Sequence, residues 1–121
     1  MVTVVDPAGS PSVTFNLSGT AIFSVSAGGV NNPATATVIP HYAGETLVAV
    51  ASSVTDSGVI FDDGFEIGDV VEVYSNGAAT LKVFPASGDT INLTSGVVIG
   101  VHQSALFRKY SSADWSMVRS S

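Results

Sequence analysis

The feature that most constrains this chain is its hydrophobic period. Apolar residues come in short runs, and clusters of Gly, Pro, Asn and Ser interrupt them. In Val13–Leu17, Val13, Phe15 and Leu17 alternate with Thr14 and Asn16; in Ala21–Ser26, Ala21, Phe23 and Val25 share one face. No long window repeats apolar residues at helical spacing, so amphipathic helices are not expected. A period of two between turn clusters reads as β-structure. The expectation is an all-β protein, an antiparallel β-sandwich or β-barrel. A length of 121 residues suits a single domain with one core.

Residues 1–12 read as an extended N-terminal arm or first edge strand, and residues 13–121 as the β-domain. Val2–Val5 is strand-like, and a Pro/Gly/Ser stretch follows it. Val13–Leu17 and Ala21–Ser26 read as a hairpin. Further strands are expected at Ala34–Ile39, Leu47–Ser53, Val59–Phe61, Thr90–Leu93, Val97–Val101, Ala105–Tyr110 and Trp115–Val118. Leu47–Ser53 is apolar on both faces and suits a central position. Asn76-Gly77 sits between Val70–Tyr74 and Thr80–Phe84, and Asn-Gly is the strongest short hairpin signal. The register that follows opposes Glu72 to Lys82 and puts Val71, Val73, Leu81 and Val83 on one apolar face. No internal repeat at a fixed period stands out.

Charged residues make up 12% of the chain, against about 25% in ordinary soluble domains. Ser, Thr, Gly and Asn must therefore cover much of the outside, unless partners bury part of it. The net charge is −6 with four basic residues, a poor balance for gripping phosphates, so no nucleic-acid partner is expected. Eight carboxylates precede Lys82, the first basic residue; Lys82, Arg108, Lys109 and Arg119 make up the slightly basic end. Such asymmetry suits complementary contacts between subunits. Arg108, Lys109 and Arg119 are candidate subunit-interface charges.

No apolar run approaches the length of a membrane helix, so no membrane partner is expected. Met1–Ser12 lacks the basic start and apolar core of a secretory leader. Cys is absent, which removes disulfides, thiol nucleophiles and thiolate metal sites. His41 and His102 have no motif around them, and the acidic run Asp62–Asp69 misses the ligand spacing of a calcium loop. No catalytic residues, cofactor or metal are expected, and no enzyme activity. Tyr74, Tyr110 and Trp115 are candidates for a sugar-stacking platform, although such rings commonly serve cross-strand packing.

One stretch carries a likeness. Gly68–Tyr74 leads through Asn76-Gly77 to Leu81–Ile91, then to Phe107, Ser112-Ala113-Asp114-Trp115 and Met117-Val118. Over residues 68–118 this resembles a small β-module of structural proteins in tailed bacteriophages, found in head decoration (cement) proteins and in fibre and tail proteins. The resemblance implies a structural virion protein, made in the bacterial host cytoplasm and seated on the outer capsid surface. It implies homotrimers that clamp the major capsid protein and stabilise the head. A fibre or tail module that binds a carbohydrate or another receptor is the alternative. On the decoration reading, Val2, Thr3, Val4, Val5 and Asp6 form a candidate capsid-docking arm, able to add a strand to a capsid sheet edge. Read from the residues themselves, Pro85 and Gly88 shape a turn, and Ile91, Phe107 and Trp115 fill the core.

Overall fold

The computed structural model describes residues 2–4, 13–15, 19–42 and 44–119. Among them the chain is all strand and turn, without helix. The strands form two sheets. The larger contains β1 (Val2–Val4), β2 (Val13–Phe15), β3 (Ala21–Ser26), β5 (Glu45–Ala51), β7 (Val70–Ser75), β9 (Thr90–Ile91), β11 (Ser104–Lys109) and β12 (Asp114–Arg119). Its spatial order is β1-β2-β3-β5-β7-β11-β12-β9. The smaller contains β4 (Thr37–Ile39), β6 (Ser57–Phe61), β8 (Leu81–Phe84) and β10 (Val97–Ile99), in the order β10-β8-β6-β4.

The centre of the molecule is a short β-solenoid. β3, β5 and β7 pair in parallel in the larger sheet, and β4, β6 and β8 pair in parallel in the smaller. Each of three successive coils lays one strand in each sheet. Ala21, Thr46 and Val71 stack in register, a spacing of 25 residues per coil. The chain then reverses. β10 pairs antiparallel with β8, β11 with β7 and β12 with β11, while β9 lies parallel to β12. At the other end β1, β2 and β3 pair antiparallel, which gives the expected hairpin between the second and third strands.

Three expectations are corrected here. The fold is all-β, but five of the ten described strand pairings are parallel, so it is not an antiparallel sandwich or barrel. Val70–Tyr74 and Thr80–Phe84 do not form a hairpin: their strands lie in different sheets. Glu72 is flanked by Leu47 and Leu106, and Lys82 by Gly58 and Val98. The physical reason is reach. Sheets stack about 10 Å apart, and the five residues 76–80 can cross that gap as readily as they can fold back. Finally, a coil period of about 25 residues is present after all, carried by stacked positions rather than by repeated residue types.

Side chains alternate between the space enclosed by the sheets and the outside. Phe23, Val48, Val50, Val71, Val73, Leu81, Val83, Val59 and Ile99 fill the enclosed space. Near the β6–β7 loop an aromatic cluster takes over. Phe61 stacks on Trp115 at 4.4 Å between centroids, and Phe65 and Phe107 meet Phe61 edge-on. Ile91, Phe107 and Trp115 are fully buried, in keeping with their expected place in the core. The Asp89 N–H donates to the Ala86 carbonyl and closes the turn after Pro85, where Gly88 takes φ +90°.

Candidate functional site

The outer face of the larger sheet is the most distinctive surface on the molecule. Three rows of outward positions cross it. Ile22, Leu47, Glu72, Leu106 and Val118 lie side by side on five neighbouring strands. Ser24, Ala49, Tyr74 and Ser104 form the row on one side of them, and Glu45, Val70, Arg108 and Ser116 the row on the other. A solvated antiparallel face normally alternates apolar inside with charged outside. These thirteen positions carry two carboxylates and one guanidinium, with half-buried Asp114 a further carboxylate beyond them on β12, and Leu106 is 41% and Val118 69% exposed. Ile22, Leu47, Ala49, Tyr74 and Glu72 border a shallow hollow of about 310 Å³, and Glu72, Leu106, Val118 and Arg119 border a second of about 230 Å³.

The charges on this face are separated by register. Glu72 faces Leu106, and Arg108 faces Val70. Glu72 and Arg108 are both exposed, and neither takes part in an ion pair among the described residues. Of the three basic residues singled out in the sequence, only Arg108 is presented in this way. Arg119 is exposed, but its Nε donates to the Val98 carbonyl at 3.0 Å, at the β10 edge of the smaller sheet. Lys109 is a correction: it is 6% exposed and points into the molecule, so it offers no charge to a neighbour. The period of two places it there, because inward Phe107 and Ala105 share its face.

Lys109 instead organises a buried polar cluster. Its Nζ donates to the Phe65 carbonyl at 3.0 Å and lies 3.5 Å from Asp89 Oδ2. Trp115 Nε1 donates to the same carboxylate oxygen. Beside this cluster His41 Nε2 stands 2.8 Å from Asp69 Oδ2, which also accepts the Glu66 N–H. The acidic loop is thus only partly solvated: Asp63 and Glu66 are exposed, and Asp69 is buried as an internal acceptor. These groups hold loops onto the aromatic core. No group of three or more metal-ligating side chains gathers among the described residues.

The arm and the aromatic platform also have definite places. Val2–Val4 forms β1, antiparallel to β2 and terminal in its sheet, so this part of the arm is an edge strand of its own domain. Val5 and Asp6 lie outside the described residues. The platform of Tyr74, Tyr110 and Trp115 is not assembled. Trp115 is wholly buried, while Tyr74 and Tyr110 stand at opposite ends of β11. Tyr74 Oη meets His102 Nδ1 at 3.3 Å. A concavity that sequence reasoning missed lies outside the smaller sheet. Pro33, Ile60, Phe84, Pro85, Ser87 and Ser95 border it, and its volume is about 430 Å³. Its lining comes from three separate loops and two strands, so no local motif announces it.

A scan of the chain against protein-family models finds no match, and a search among curated proteins finds none.

Proposed function

We propose that this chain is a capsid decoration (cement) protein of a tailed bacteriophage, docking as a homotrimer on the outer surface of the assembled head, with the major capsid protein as its partner. The observation that carries a docking role is the outer face of the larger sheet, whose central row sets Leu47, Leu106 and Val118 toward the outside with one carboxylate among them. Apolar surface of that extent on a small domain marks a contact surface. The phage assignment rests on the resemblance over residues 68–118. The mechanism is mass action: a protein that binds only the assembled lattice stabilises it, and many copies act together. The free edge of β1 suits the addition of a capsid strand.

The test adds the purified chain to decoration-free heads of its own phage. Saturable co-sedimentation and a gain in head heat resistance are expected. Absence of either overturns the cement reading. A second reading, a fibre or tail module for a carbohydrate or other receptor, is favoured by the concavity over Ile60 and Phe84, where Ser87 and Ser95 add hydroxyls to an apolar floor. Glycan binding lost on Ser87→Trp, with head binding absent, selects it.

A further inference from the structure

We propose that Asn76-Gly77 is a fold-guarded modification site, at which the Gly77 nitrogen closes on Asn76 Cγ to form a succinimide once the corner after β7 lifts off the corner after β5. The site stands apart from both functional readings above.

The chemistry begins in the sequence. Asn76-Gly77 is the one Asn-Gly pair in the chain. Glycine suits this ring closure best, because it has no side chain to shield its nitrogen and its backbone turns freely. In the step, the Gly77 nitrogen attacks Asn76 Cγ, and the Cγ–Nδ2 bond breaks. Ammonia leaves with the proton of the Gly77 amide. Water then opens the ring at either carbonyl. Breaking the new Cγ–N bond gives aspartate on an unchanged main chain. Breaking the original C–N bond gives isoaspartate, with the main chain rerouted through Cβ and Cγ and one carbon longer. Water is the sole co-reactant, and the net change is an amide exchanged for a carboxylate.

The fold sets when this can happen. Asn76 is exposed, and the Gly77 N–H has no backbone acceptor among the described residues, so neither reacting group is occupied by the ladder. What is missing is room to turn. Closure needs rotation about the Asn76 Cα–C bond, out of the β and right-handed wells, and that rotation swings the Gly77 peptide. The peptide is wedged against Ser52, where even one carbon added at Gly77 would strike backbone. It is pinned on both sides, by the Asn76 N–H to the Val50 carbonyl at 2.8 Å and the Ala79 N–H to the Ser52 carbonyl at 3.0 Å. Ser52 Oγ adds a bond to the Thr80 carbonyl at 3.0 Å. Closure therefore waits for these three bonds to open locally. Reclosing does not undo the product. An isoaspartate corner is one carbon too long to seat Gly77 on Ser52 and keep both flanking bonds. An aspartate corner keeps the backbone and turns its charge to solvent. The isoaspartate fraction thus records how often the two corners have parted.

The experiment ages the purified full chain at mildly alkaline pH, in native buffer and in guanidinium chloride that unfolds it. Peptide mapping reads the mass gain of about 1 Da at Asn76, and an isoaspartate-specific methyltransferase counts the rearranged product. The native chain is expected to convert at least about tenfold more slowly than the unfolded chain. Asp63-Gly64 is the internal control. It closes the same ring with loss of water, but both residues are exposed and Gly64 has ordinary clearance. Its isomerisation is expected to differ by less than about threefold between the two conditions. Ser52→Ala removes the bond to Thr80 and is expected to speed conversion at Asn76 by about threefold or more in native buffer, with no change in guanidinium. If that variant does not fold, the wild type in sub-denaturing guanidinium replaces it: conversion is expected to rise in step with hydrogen exchange at the Asn76 and Ala79 amides. Asn76→Asp is expected to refold with a midpoint near that of the wild type, and the aged isoaspartate chain to refold with a lower one.

Equal rates at Asn76 in the two conditions overturn the proposal, as does no conversion in either. Equal slowing at Asp63 does so too, since it would make the protection a property of any folded turn. A folded Ser52→Ala chain that converts at the wild-type rate removes the guard. An isoaspartate chain that refolds as well as Asn76→Asp removes the claim that the stack is lost.

Discussion

The Lys109 ammonium lies 3.5 Å from the Asp89 carboxylate, with both side chains almost closed off from solvent. Around this pair the chain is drawn together from four directions. Lys109 Nζ reaches the Phe65 carbonyl, Trp115 Nε1 reaches Asp89, the Lys109 N–H donates to the Asp69 carbonyl and the Gly68 N–H to the Lys109 carbonyl. Removing one partner of a buried pair leaves an uncompensated charge, at a cost of about 3–5 kcal/mol. Lys109→Met is therefore expected to lower the unfolding free energy by that amount, read as a fall in denaturant midpoint at unchanged m. Lys109→Met with Asp89→Asn should recover much of the loss, since the apolar stem is kept and no lone carboxylate remains. A single variant within about 1 kcal/mol of wild type would show that the pair is not structural.

Leu81 and Val83 face the same enclosed space as Val71 and Val73, although from the opposite sheet, and all four are fully buried. Leu81→Ala and Val83→Ala are expected to cost about 2–4 kcal/mol each in equilibrium unfolding. Glu72 and Lys82, by contrast, lie on the outer faces of different sheets. A double-mutant cycle between them should return a coupling of about zero, within the roughly 0.3–0.5 kcal/mol of ordinary additivity. A coupling of 1 kcal/mol or more, a value about typical of contacting residues, would restore the hairpin register.

Among the described residues, two core hydroxyls have no hydrogen-bond partner. Thr46 Oγ1 lies in the stack between Ala21 and Val71, and Ser75 Oγ is equally enclosed. An unmatched buried hydroxyl carries a desolvation penalty of about 1–3 kcal/mol. Thr46→Val keeps the shape and removes the penalty, so thermal unfolding is expected to move upward, by about 1 kcal/mol of added stability. A destabilised variant would show that the hydroxyl is matched in solution, by a bound water.

The period of two made the faces of this fold legible, and little else. Val71, Val73, Leu81 and Val83 point inward and Glu72 and Lys82 outward, in agreement with the alternation. Alternation assigns each residue to a face; it says nothing of which strand is next door. A hairpin and a solenoid coil built from the same two runs bury the same residues, so Asn76-Gly77 could not separate them by pattern alone. The coil period was hidden for a related reason. Positions stacked 25 apart, such as Ile22, Leu47 and Glu72, share a place on the outer face but no common chemistry. The apolar outer row could be read only once register aligned Leu47, Leu106 and Val118, which lie far apart in the chain. Lys109 went astray because composition counts a charge without its face, although its alternation with Phe107 was there to be seen.

Gly77 gives the sharpest test of solenoid against hairpin. In a two-residue Asn-Gly turn of the common hairpin type, both central residues need positive φ. Neither Asn76 nor Gly77 has it. What requires glycine here is proximity: a Cβ at residue 77 would stand 2.2 Å from the Ser52 carbonyl oxygen and 2.3 Å from its nitrogen. The corner after β7 rests directly on the corner after β5, with the Asn76 N–H donating to Val50 and the Ala79 N–H to Ser52. Ser52 Oγ donates onward to the Thr80 carbonyl, so the two corners are bolted together coil upon coil. Both atoms that a methyl would strike are backbone, and no rotamer change can relieve them. Gly77→Ala is therefore expected to cost about 1–3 kcal/mol, the range of an overpacked site, read as a fall in denaturant midpoint. Gly64→Ala is the control: its nearest neighbours would be at 3.6 Å, ordinary contact, and the change is expected to fall within about 0.5 kcal/mol of wild type. If Gly77→Ala is as silent as Gly64→Ala, the corners do not stack, and the coil arrangement of β5 and β7 fails with them.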